Sequence, residues 1–155
     1  LSTAPLTVLS PVTGTVVALS DVDDPVFSAG LVGPGTAIAP DPAEGGLVSA
    51  PISGTIVKVH PHAFVIKHDS GQAVLVHLGI NTVQLAGEGF TLHAAQGDVV
   101  HQGATLVTWD PAAIEKGGRS AVCPVVALEG KPDAVTPLAP VGTWVARGED
   151  LLIWE

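Results

Sequence analysis

Basic residues are scarce in this chain. Six Lys and Arg stand against fifteen Asp and Glu, giving a formal net charge of −9. A phosphate backbone would be repelled and no basic cluster offsets the deficit, which argues against nucleic acid as a partner. An acidic surface suits a basic protein partner instead, steering encounter more than supplying affinity. Cysteine is scarcer still. The single Cys123 rules out an intramolecular disulfide and a CxxC metal motif, and its apolar neighbours mark it as a buried thiol. No apolar run approaches the roughly 18 residues of a membrane span. Residues 122–128 are apolar but few, and Pro124 interrupts them. No basic segment leading into an apolar stretch marks a signal peptide. The expectation is a cytoplasmic, monomeric protein that does not itself span a membrane.

What is present favours a core. Hydrophobic residues make up 46% and charged residues 14%, which excludes disorder. The length suits one domain over residues 1–155. Gly (18) and Pro (13) are spread evenly, and short runs of Val, Ile, Leu and Thr lie between them. Many short strands with frequent turns predict an all-β antiparallel sandwich or barrel with very short helices. One helix of two turns at most is predicted, starting at Asp110-Pro111 and ending at Gly117-Gly118. Residues 21–27, with Asp21, Asp23 and Asp24, read as an acidic loop.

Two patterns recur. Pro11-Val12-Thr13-Gly14-Thr15 returns as Pro51-Ile52-Ser53-Gly54-Thr55. Gly97-x-x-Val100-x-x-Gly103-x-x-Leu106-Val107-x-Trp109 returns with identical spacing from Gly142 to Trp154. Such self-similarity predicts two related β halves packed together.

The histidines carry the candidate chemistry. His60, His62 and His77 fall within residues 60–83. Pro61 favours an extended backbone at His60, so His60 and His62 share a face if the segment is a strand. Asp69-Ser70-Gly71 reads as a hairpin turn. His62 and His77 stand eight and seven residues from Ser70, so they meet at one end of that hairpin. Two neutral imidazoles on an apolar face suit three uses: local hydrogen bonding, a metal pair, or a nucleophile with an N–H donor beside it. For phosphoryl transfer, backbone N–H groups such as that of Gly79 would add charge stabilisation. His68, His93 and His101 are expected at the surface.

His77-Leu78-Gly79-Ile80-Asn81-Thr82-Val83-Gln84-Leu85 followed by Gly87-Glu88-Gly89-Phe90 closely resembles the signature of glucose-type enzyme IIA of the bacterial sugar phosphotransferase system. Pro11-Val12-Thr13-Gly14, Val26-Phe27, Gly33/Gly35, His62-Ala63-Phe64 and Pro124-Val125-Val126 match in the same order, from about residue 8 to the end. The resemblance implies an antiparallel β-sandwich with internal duplication, the duplicated hybrid motif. It implies a phosphocarrier that takes a phosphoryl group from HPr on Nε2 of His77. The group then passes to a cysteine in the IIB domain of a sugar permease of the glucose/N-acetylglucosamine class. His62 assists onward transfer. No cofactor is required. Zinc held by His62 and His77 together with a partner carboxylate is an implied regulatory variant, as is binding of other target proteins according to phosphorylation state. The implied docking patch comprises Val26, Phe27, Val32, Leu75 and Val83, with Asp24 at its rim and Gly79 and Asn81 beside it. Within it Phe27, sitting in an acidic stretch, is the best surface candidate.

Two departures stand out. The family often has Asp at Asn81, so one rim charge is missing and docking is expected to be weaker or slower. The arm before His62 is shorter than in relatives, where a nearby threonine hydrogen-bonds the active histidine. His60 either takes over that role or is exposed. The competing reading is a zinc hydrolase using His60-Pro61-His62 and His77-x-x-x-Asn81, in which Asn81 is a poor ligand. A lipoyl- or biotin-type carrier lacks a lysine at a hairpin tip.

Overall fold

The computed structural model describes residues 5–155. Fourteen short strands alternate with turns. β1 (Leu6–Leu9), β2 (Gly14–Val17) and β3 (Gly35–Pro40) come first. β4 (Leu47–Ser49), β5 (Gly54–His60), β6 (Ala63–Lys67), β7 (Ala73–His77), β8 (Phe90–Leu92), β9 (Val99–Val100) and β10 (Thr105–Trp109) follow. β11 (Cys123–Ala127), β12 (Val135–Pro137), β13 (Trp144–Val145) and β14 (Asp150–Trp154) complete the chain. The helices are α1 (Pro25–Ser28) and α2 (Pro111–Lys116). Both start at an Asp-Pro pair. Asp24 accepts from the Val26 N–H and Asp110 from the Ala113 N–H, while the proline fits the first helical position. The stretch expected to be an acidic loop is therefore a short 3-10 turn (Leu19–Asp21) followed by α1. The expectation of one helix overlooked the second Asp-Pro signal.

The strands form one eight-stranded antiparallel sheet, β13-β2-β3-β11-β7-β6-β5-β9, and two three-stranded sheets, β1-β14-β12 and β4-β10-β8. Where strands face solvent on one side they alternate, as in β1 and β2, whose burial switches at each residue. β11 sits at the centre of the large sheet and is buried along its whole length, which explains its unbroken apolar run.

The internal duplication is visible in the pairing. β9 joins β5 at Gly54 just as β13 joins β2 at Gly14. β4-β10-β8 repeats β1-β14-β12. The Leu9 N–H donates to Pro51 O, and the equivalent Ser49 N–H donates to Pro11 O, both at 2.9 Å. One half, β4 to β10, is continuous in sequence and lies between β3 and β11 of the other. Val76 of β7 and Val125 of β11 pair directly where the halves meet in the large sheet. His77 is the next residue, one step past that pair. On that register it faces Pro124, which has no N–H to give, and the β7–β11 ladder stops at Val125.

Candidate active site

β6 and β7 bring the site together. Ala63 pairs with His77, and the Leu78 N–H donates to the His62 carbonyl oxygen at 2.7 Å. The His62 and His77 rings consequently meet edge to face, with centroids 5.2 Å apart and planes at 70°. The hairpin spacing anticipates this proximity. It misreads the segment before His62, however. His60 ends β5 and pairs with Ala63, so Pro61 and His62 form a two-residue turn and the run is not one extended strand. His60 is exposed, and its ring stacks on His62 at 5.7 Å. The hydrogen bond to His77 comes from elsewhere.

That bond runs to Gly79. His77 Nδ1 lies 2.5 Å from the Gly79 carbonyl oxygen. A carbonyl only accepts, so Nδ1 carries the proton and the neutral ring keeps its lone pair on Nε2. Gly79 turns the chain with φ of 78°. An added Cβ would lie 2.6 Å from Thr82 Cγ2 and 2.9 Å from Ser120 O, so the turn needs glycine twice over. The Gly79 N–H donates to Val122 O at 3.1 Å and is not free for a phosphoryl group. Its expected role as a donor is thus corrected: Gly79 serves the site through its carbonyl. The Ile80 N–H donates to Ser120 O at 2.9 Å, and the buried Thr82 hydroxyl donates to Leu78 O at 2.6 Å. The two backbone bonds tie Gly79 and Ile80 to residues 120–122, the segment leading into β11, and the Thr82 bond closes the turn on itself. Asn81 is exposed with φ of 62°, a left-handed position that asparagine tolerates.

Burial is the leading influence on both rings. It lowers the pKa of His77, opposed by the Gly79 hydrogen bond and the nearby Asp24 carboxylate. His62 is lowered to about 4 by burial, then by the charges His77 and His60 would carry. Both imidazoles are neutral at pH 7. A neutral His77 is what a nucleophile requires.

Phe27 packs against His77. It is 6% exposed, and its ring lies 5.3 Å from that of His77. The expectation that Phe27 is the better surface candidate is overturned, because α1 folds it inward onto His77. Val32 and Leu75 are half-buried against the cluster of Leu19, Val22, Phe27, Ala37, Ile80 and Val126. Val26 (44%) and Val83 (61%) are the exposed members. Leu31, 72% exposed and bonded through its N–H to Val26 O, escaped the sequence reading. Its place next to the Gly33-Pro34-Gly35 turn was the available signal.

The other histidines lie apart. His68 is half-buried and braces its hairpin turn, its Nδ1 accepting from the Ser70 N–H at 3.2 Å. His93 is exposed and bonds the Thr108 hydroxyl, and His101 is exposed. Cys123 is fully buried, and burial pushes its thiol up to about 12, so it is inert. Within the chain the His62–His77 pair offers two nitrogens. Among the described residues no set of three or more His, Cys, Asp or Glu side chains is arranged to hold a metal. A hydrolytic zinc site needs three protein ligands, so this donor set does not fit one, and zinc enters no step below. Among the described residues no helix is long and apolar enough to cross a membrane.

Comparison with known proteins identifies the family. Residues 6–132 match the family profile described as "phosphoenolpyruvate-dependent sugar phosphotransferase system, EIIA 1". A glucose-specific EIIA component of the phosphotransferase system from Oceanobacillus iheyensis is 37% identical over 123 residues, 78% of this chain and 73% of that protein. One from Halalkalibacterium halodurans is 43% identical over 121 residues, 77% of this chain and 68% of that protein. A mannose-specific EIIBCA component from Corynebacterium glutamicum is 42% identical over 121 residues, which make up 17% of its own length. The solved structure of glucose permease IIA from Mycoplasma capricolum superimposes with a TM-score of 0.85 at 35% identity, covering 97% of this chain and 96% of that one. The chain belongs to the EIIA 1 family of the phosphoenolpyruvate-dependent sugar phosphotransferase system.

Proposed function

We propose that this protein is a phosphocarrier of sugar uptake, with His77 as its covalent acceptor. The supporting observation is the His77–Gly79 bond, which commits Nδ1 to a proton and leaves the lone pair on Nε2. In the first step that lone pair attacks the phosphorus of phosphorylated HPr. The new P–Nε2 bond forms as the old P–N bond breaks, and its electron pair returns to the HPr imidazole. In the second step a cysteine thiolate of a sugar permease's IIB domain takes the group, and the electron pair returns to Nε2. Little covalent chemistry is asked of the protein, so positioning decides the rate. His62, neutral and edge-on to His77, donates an N–H to the phosphoryl oxygens in the second step. Asp24, Val26, Leu31 and Val83 are the contact surface for both partners, the acidic side chain matching a basic partner.

The test is incubation with phosphoenolpyruvate, enzyme I and HPr. One phosphoryl group, stable to base and labile to acid, is expected on His77. A His77→Ala protein that still gains the group refutes the assignment. His62→Gln is expected to accept the group normally and to pass it on slowly.

A further inference from the structure

His60 ends β5 directly across from Ala63, and the turn between them contains His62. The His60 and His62 rings lie 5.7 Å apart with planes only 22° from parallel. His62 needs such a contact. Its backbone is well held: the carbonyl accepts from Leu78, and Pro61 rests against Gly87, where an added Cβ would stand 3.3 Å from the proline ring. Its side chain is not. The His77 ring is set by a hydrogen bond to Gly79, whereas among the described residues the His62 ring has no hydrogen-bond partner. Nor does the turn itself fix it. Pro61 requires a negative φ and His62 does not adopt a positive one, so the turn is neither of the primed types that match strand twist. The aromatic contacts of the ring are the edge-to-face one with His77 and the near-parallel one with His60.

We propose that His60 is a positioning residue, whose ring stacks on His62 and holds it edge-on to His77, aimed at the phosphoryl group on Nε2. This rests on the phosphocarrier reading above and goes beyond it. An orienting hydrogen bond to His77 is not what His60 supplies; it acts one ring further out, on His62, through its flat face. The row Phe27, His77, His62, His60 thus has the reacting ring between Phe27 and His62, with His60 closing the open end. Since His62 serves the step out of the site, His60 affects donation and leaves acceptance alone. The contact requires a planar ring and neither a proton nor an N–H.

The test compares His60→Phe, His60→Ala and His60→Gln in the full chain. Each is phosphorylated by HPr and mixed with excess IIB domain in single-turnover experiments. Loss of an aromatic contact predicts that Ala and Gln slow onward transfer roughly 3- to 10-fold at saturating IIB, with half-saturation unchanged and Phe within about twofold of the parent. Carbon–proton correlation spectra supply a readout independent of activity. The His62 ring protons are expected to lose their ring-current displacement in His60→Ala and to keep it in His60→Phe. A His60→Ala protein with parental transfer, a His60→Phe protein as slow as Ala, or unmoved His62 signals in Ala overturns the proposal. Failure of every protein, parent included, to become phosphorylated on His77 would refute the phosphocarrier reading instead, while the spectra would still decide the stack.

Discussion

His77 Nδ1 and the carbonyl oxygen of Gly79 sit 2.5 Å apart, and this bond decides which nitrogen of the ring can react. Its geometry depends on a left-handed turn crowded by Thr82 and Ser120. Gly79→Ala would add left-handed strain and a clash with the Ser120 carbonyl. We expect a loss of about 2–3 kcal/mol of stability in denaturant titration. We also expect phosphoryl acceptance by the folded fraction to fall at least about tenfold, because the ring loses its tautomer anchor. A stable Gly79→Ala protein with normal acceptance would show that the anchor is dispensable.

The protonation of His77 itself can be followed by imidazole nitrogen shifts. Burial lowers its pKa from 6.5, and the partial opposition of Gly79 and Asp24 does not reverse the sign. The ring therefore stays neutral as pH falls through 6.5 and protonates only below it. A titration midpoint at or above 6.5 would contradict the burial of the ring.

Phe27 provides a direct handle on that burial. Replacing it by Ala removes a buried ring at the edge of a core cluster, at a cost of about 2–4 kcal/mol. Water then reaches His77, and its midpoint should move up toward the ordinary value. The same nitrogen-shift titration reads this: an upward move supports desolvation as the main cause, and a midpoint equal to the parent's excludes it.

His62 makes stability depend on pH. In the unfolded chain it takes a proton near 6.5, while in the folded chain it resists until about 4. Between those values the unfolded state binds more protons, so stability rises with pH and falls on acidification through that window. His77 contributes with the same sign. Melting temperature should therefore drop between pH 7 and pH 5, and drop less in His62→Gln. Equal drops in the two proteins would mean that His62 titrates alike folded and unfolded.

The sequence was informative where it repeats itself or where spacing is short-range. The recurrence of Gly14 at Gly54, and of residues 97–109 at 142–154, maps onto equivalent strands. Counting from Ser70 placed His62 beside His77 because a hairpin fixes register. Features set by packing against distant elements were not legible. Whether Phe27 points in or out depends on α1 closing over β7. Which group of Gly79 serves His77 depends on Val122 claiming the N–H. The Pro61–His62 turn was hidden because X-Pro reads as extended, while the pairing of β5 with β6 starts at the adjacent residue.

Asn81 is the position at which a single charge tests the docking surface. It is exposed, four residues after His77 and two before the exposed Val83, in a left-handed conformation that aspartate accepts as readily as asparagine. Asn81→Asp should therefore leave the fold and the Thr82–Leu78 hydrogen bond untouched, with melting unchanged within about a degree. Its carboxylate adds one negative charge to the exposed surface, and a basic partner would feel that charge mainly before contact. We expect the association rate with HPr to rise about two- to fivefold at low salt, and the gain to fade toward physiological ionic strength as screening shortens its reach. Stopped-flow association at several salt concentrations measures this. A rate unchanged at low salt would place Asn81 outside the encounter surface, and a gain that persists at high salt would point to a direct contact in place of steering.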